Sequence, residues 1–125
     1  MIELPEALYD AMTRADYATF VARVMATLEP GNLTLAEAVV EGSTDGEAVV
    51  YTHGCHPSLA NDNLTGIAVA AALARALRAE RPRLTWHFVF GPGTIGSLAW
   101  LSRNEQRLPR LRAGLTIGLL GDAGP

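Results

Sequence analysis

Between two short segments of branched and aromatic residues lies a run rich in alanine and leucine, IAVAAALARALRAE at residues 67–80. That run constrains the fold more than any other feature. Alanine and leucine are strong helix formers, and a helix so poor in bulky side chains suits close packing on a sheet. Arg75, Arg78 and Arg81 gather toward its C-terminal end, where cations suit the helix dipole, and Pro82 stops it. A helix is therefore expected over residues 63–80. The flanking segments, EAVVYTH before it and RLTWHFVF after it, have the composition and length of buried strands.

The rest of the chain extends the pattern. LTLAEAVVEG and EAVVYTH flank GSTDG and are expected as two strands joined by a short turn. After RLTWHFVF come a glycine-rich loop, GPGTIG, a helix over SLAWLSRNEQR and a last strand over AGLTIGLL. Upstream, Phe20, Val21, Val24, Met25 and Leu28 recur at helical spacing, so a first helix is expected over residues 16–30. The order of elements implies an α/β three-layer sandwich with a mostly parallel mixed sheet. In such sheets ligands gather where strands end and loops begin. Loops 53–62 and 91–96 both follow strands and are placed to share one edge.

Composition excludes several functions. The 125 residues suit a single domain, 1–125, and 49% hydrophobic content supplies a core. Net charge is -3 and the ten basic residues are scattered, which argues against the basic face that nucleic acid requires. No run approaches the ~18 apolar residues of a spanning helix, so no membrane partner is expected. The opening MIELPEALYD lacks the layout of a signal peptide. One cysteine cannot form an internal disulfide, which makes a reducing cytoplasm the default. The GDAGP ending reads as a loop, so the domain is expected to stop in mid-fold. An oligomer is left open.

Chemistry concentrates in THGCHPSLANDNLTG, residues 52–66. His53 ends a strand, His56 follows across a proline-constrained bend, and Asp62 stands beside the start of a helix. Imidazole nitrogen and carboxylate oxygen are the usual ligands of catalytic zinc, and a carboxylate can bridge two metals. Asn61 and Asn63 flank Asp62 and are placed to orient it. The competing reading is a polar loop in which Asp62 caps the helix and both histidines lie on the surface.

The string HGCHPSLANDNLTGIAVAAALA resembles the metal loop of the zinc-dependent exopeptidases of the aminopeptidase class. Together with the later TIGSLAWL, it is similar to a bacterial group of aminopeptidase-like proteins often placed near polysaccharide biosynthesis. The resemblance implies that Asp62 bridges two metals and that His53, or else His56, is a ligand. It implies zinc, one or two ions, and hydrolysis of an N-terminal peptide or related amide bond by metal-activated water. Where the family commonly has His-x-Asp, this chain has Cys55, a thiol in place of the acid that orients the histidine. Where the family has a general-base Glu, this chain has Gly93, with Thr94 beside it. The family's remaining ligands are expected downstream of Pro125. The rival reading is a non-catalytic binding or scaffold domain, linked to polysaccharide assembly.

Other motifs weigh less. GPGTIG has the spacing and context of a dinucleotide-binding turn, but Asp122 lies too far on to serve its ribose. Adjacent Cys55 and His56 rarely point at each other, which disfavours a thiol-protease pair. Ser58 lacks a nucleophile-elbow context. His87 reads as a strand histidine, Trp86 and Trp100 as packing residues, and Glu105 as a solvated acid within a helix. Arg103, Arg107, Arg110 and Arg112 read as a solvated basic face, with a polyanionic saccharide partner as the alternative.

Overall fold

The computed structural model describes residues 30–57 and 59–121. The chain divides into two compact units, Met1–Gly31 and Asn32–Pro125, and the second holds the elements below. The helix expected over residues 16–30 lies outside the described residues but for Pro30.

Four strands form one sheet: β1 Ala36–Val40, β2 Glu47–His53, β3 Thr85–Gly91 and β4 Leu111–Ile117. Their order across the sheet is β1-β3-β2-β4. β2 runs parallel to both β3 and β4, and β1 runs antiparallel to β3. The sheet is thus mixed and mostly parallel, as the order of elements implied. One detail differs. β1 and β2 are joined by a short turn, but β3 lies between them. The turn is tied instead to the segment ahead of β3, through Ser43 N–H to Pro82 O and Thr44 N–H to Arg83 O. A parallel sheet places its crossover strand next to β2, and that pairing displaces β1 outward.

Two helices cover the faces. α1, Thr65–Glu80, crosses from β2 to β3, and α2, Ile95–Arg103, links β3 to β4. Alternation along each strand sends Val50 and Phe88 toward Ala70 of α1, with Leu73, Ala74 and Leu77 packed against them. The next residues along the strands, Tyr51 and Val89, face Trp100 of α2. Ala70 is fully buried, which explains why the helix carries small side chains where it meets the sheet. Val50 and Phe88 are also fully buried. Each contributes roughly 1.5–3 kcal/mol by leaving water.

The second helix is shorter than its sequence suggests. α2 ends at Arg103, and residues Glu105–Arg110 form a 3-10 helix containing Pro109. Asn104 leaves helical geometry with φ -120° and binds Trp100 O through its side chain. Glu105 is therefore not inside an α-helix, although it is exposed as expected. β4 starts two residues earlier than expected and ends at Ile117. Among the described residues, no helix is long and apolar enough to cross a membrane.

Candidate functional site

The parallel pairing of β2 and β3 sets His53 beside Gly91, so the loops after these strands emerge together. Gly54 N–H donates to Gly91 O at 3.0 Å. The Gly93 N–H donates to Cys55 Sγ at 2.8 Å. Cys55 is exposed and is bound to the second loop rather than to His53.

Asp62 stands between the two histidines. His53 Nε2 lies 2.8 Å from Asp62 Oδ1, and His56 Nε2 lies 3.4 Å from Oδ2. The other nitrogen of His56, Nδ1, lies 2.7 Å from Pro57 O. Each imidazole thus faces its own oxygen of one carboxylate. His53 is the more sheltered, at 23% side-chain exposure against 47% for His56 and Asp62.

Asn63 makes this arrangement rigid. It is fully buried, and its amide donates to Thr52 Oγ1 and to Ile117 O, both at 2.7 Å. Its carbonyl oxygen accepts Gly66 N–H at 3.2 Å, the bond a helix-capping side chain makes. Asn63, not Asp62, therefore closes the start of α1, and its amide faces β2 and β4 rather than the Asp62 carboxylate. A side chain on Gly66 would bring Cβ to 2.3 Å from Asn63 Oδ1, so only glycine fits there. Asn61 contributes its backbone carbonyl, which accepts Thr65 Oγ1–H at 3.2 Å.

The second loop is built around a strained turn. Ile95 N–H donates to Gly93 O at 2.6 Å across Thr94, whose φ is 55° and ψ -62°. That is a γ-turn of the positive-φ kind, uncommon for a branched residue. A Cβ on residue 93 would lie 2.9 Å from Cys55 Sγ. The glycines of GPGTIG serve packing: side chains at 91 and 96 would strike Leu35 and the Tyr51 hydroxyl. Tyr51 donates to Pro92 O, and burial, with Cys55 beside it, pushes its pKa up. With its N–H given to Cys55, Gly93 has none left for a phosphate.

Charge follows geometry. Hydrogen bonds from His53, then His56, hold Asp62 below the usual carboxylate range. The Pro57 carbonyl, then Asp62, raises His56 above 6.5. The two shifts act in different windows. The Asp62 contribution to stability is present above about pH 4 and is lost as pH falls through its lowered pKa. The His56 contribution is complete below about pH 6.5 and is lost as pH rises through its raised pKa. In the metal-free protein, an NMR titration of His56 should therefore show a midpoint above 6.5. Asp62→Asn should lower that midpoint without returning it to 6.5, because the Pro57 contact remains. An unchanged midpoint would mean that the 3.4 Å contact does not hold in solution.

The donor spacing suits metal ligation. Nitrogen and oxygen donors each lie about 2.0–2.2 Å from zinc, so two on one ion sit about 2.8–3.6 Å apart at right-angled to tetrahedral geometry. The observed separations are 2.8 and 3.4 Å, one on each side of the carboxylate. Each side offers one imidazole and one oxygen. Among the described residues, no group of three or more His, Cys, Asp or Glu side chains is arranged to hold one ion.

Sequence reasoning missed two things here: the inward turn of Asn63 and the burial of Glu47, Thr52 and His87. Polar residues inside an otherwise apolar, buried strand were the available signal.

The domain has a mixed α/β fold with a His–Asp loop where adjacent parallel strands end. The chain belongs to the family described as "Domain of unknown function (DUF4910)", whose model matches residues 4–125. A Clostridium acetobutylicum protein named "Putative polysaccharide biosynthesis protein with aminopeptidase-like domain" is 38% identical over 121 residues, covering 97% of this chain and 27% of that protein. The crystal structure of a "putative peptidase" from Clostridium acetobutylicum superposes with a TM-score of 0.68 at 41% identity, covering 72% of this chain and 21% of that one. The chain therefore spans about a quarter of the curated relative's length.

Proposed function

We propose that this chain carries the His–Asp part of a metal-dependent, aminopeptidase-like hydrolase centre. The observation that carries the reading is the Asp62 carboxylate, with His53 on one oxygen and His56 on the other. His53 and Asp62 would hold one zinc ion, and His56 with the second oxygen would hold another. When bound, such an ion supplies the Lewis acidity that activates water and polarises an amide carbonyl. Asn63 keeps Asp62 in place through its buried bonds to β2, β4 and α1. The substrate would be an N-terminal peptide or related amide. Two donors per ion fall short of the four that zinc takes, so a full-length protein would add ligands. It would also add the base, since position 93 is glycine and Cys55 occupies the space beside it.

Zinc calorimetry tests the reading, on this chain and on Asp62→Asn. Binding at about micromolar affinity, weakened roughly a hundredfold or more by the substitution, is the expected result. Zinc binding indifferent to Asp62 would sink it and leave the scaffold reading, in which the loop is packing alone.

A further inference from the structure

At the opposite end of the same strands lies a polar cavity of about 500 Å³. β2 begins there at Glu47 and ends at His53, so about 20 Å of strand separates the cavity from the His–Asp loop. Its floor is a buried ionic network. His87 is 1% exposed, with Nδ1 2.7 Å from Glu37 Oε1 and Nε2 3.2 Å from Glu47 Oε2. Arg107 Nη1 lies 3.3 Å and Arg110 Nη2 2.8 Å from Glu47 Oε1. The arginines expected on a solvated face thus include two that reach inward.

Glu37 and Glu47, joined through His87, match the charges of Arg107 and Arg110, so the arginines offer spare donors rather than excess charge. Each guanidinium has five N–H donors, more than Glu47 and His87 can accept, and both side chains are partly exposed. The facing wall is the β1–β2 turn, which presents Glu41, Ser43 and Asp45. Neither Glu41 nor Asp45 forms an ion pair with a described residue. A bare anion would be drawn to the arginines but repelled by these acids. A cation would meet the reverse. A ligand with one anionic group and several hydroxyls satisfies both walls, because carboxylates accept hydroxyl protons and guanidinium groups clasp anions in a bidentate fork. Val39 is the one large apolar lining residue, so the ligand is hydrophilic, and the volume falls in the range of small-molecule sites.

We propose that this cavity binds a small sugar bearing an anionic group. Its carboxylate or phosphate sits on Arg107 and Arg110, and its hydroxyls bind Glu41, Ser43 and Asp45. The inference is independent of the metal reading, and its test is run in a chelator.

The 125-residue chain, in EDTA, is titrated with glucuronate and with glucose 6-phosphate while its amide NMR spectrum is recorded. Neutral glucose and inorganic phosphate serve as comparisons. One or both anionic sugars should bind at about 1 mM or tighter and shift the amides of residues 41–47 and 107–110. The tighter of the two tells carboxylate from phosphate. Glucose and phosphate should bind at least about tenfold more weakly. Arg110→Gln, which leaves Arg107 on Glu47, should weaken binding roughly tenfold, and Asp45→Asn should weaken it too. Spectra without ligand show that both variants remain folded. The proposal is overturned if neither sugar shifts the cavity amides at about 10 mM, if inorganic phosphate binds as tightly as the sugar phosphate, or if binding ignores both substitutions.

Discussion

Replacing Asn63 with alanine should cost the domain about 3 kcal/mol, the sum of several lost buried hydrogen bonds. The side chain is fully buried and makes three such bonds. Its removal strands the Ile117 carbonyl, the Thr52 hydroxyl and the Gly66 N–H, and each orphaned buried group costs about 1–3 kcal/mol. No neighbour can replace it, since Gly66 has no side chain and α1 starts at that point. Because Asn63 adjoins Asp62, the substitution should also loosen the loop, so the His53 and His56 resonances should broaden or shift. Chemical denaturation measures the first effect. A loss below about 1 kcal/mol would mean that water or a backbone shift satisfies these groups, and that Asn63 does not anchor the site.

The second large effect concerns Glu47. It is 4% exposed and shares its charge with Arg107, Arg110 and His87. Substituting both arginines by alanine leaves a buried carboxylate facing only the imidazole, and breaking such a network costs about 3–5 kcal/mol. The arginines themselves are 35% and 49% exposed and would lose little on release to water, so the cost lies in the stranded acid. Adding Glu47→Gln to the double variant should therefore recover much of the loss. Denaturant midpoints of the double and triple variants decide it. A double variant within about 1 kcal/mol of the parent, or a triple variant no better than the double, would show that Glu47 is not held by these charges.

How far each feature was legible depends on the range of the interaction behind it. The α1 helix and its flanking strands followed from local periodicity, and they occur within a few residues of their expected bounds. The shared edge of the two loops followed too, because consecutive strands on either side of a crossover helix run parallel and end together. The position of β1 did not follow, because a short turn reads as a hairpin unless the partner of each strand is known. The break at Asn104 was hidden for a similar reason: SLAWLSRNEQR keeps helical composition throughout. His87 was correctly read as a strand histidine, yet its two carboxylate partners lie 50 and 40 residues upstream, on other strands.

The same division runs through the candidate site. The candidate residues, His53, His56 and Asp62, were visible as a cluster because they lie within ten positions of one another. That Asp62 takes one histidine on each oxygen, and that Asn63 turns away from it into the core, required Thr52 on β2 and Ile117 on β4 to meet above the helix start. The order and type of the elements around that cluster were thus set by the sequence alone, since hydrophobic spacing and turn chemistry act between near neighbours. Which buried polar groups pair, and therefore what the loop and the cavity can hold, was decided by tertiary structure, because those pairs join residues that only the packed sheet brings within hydrogen-bond reach.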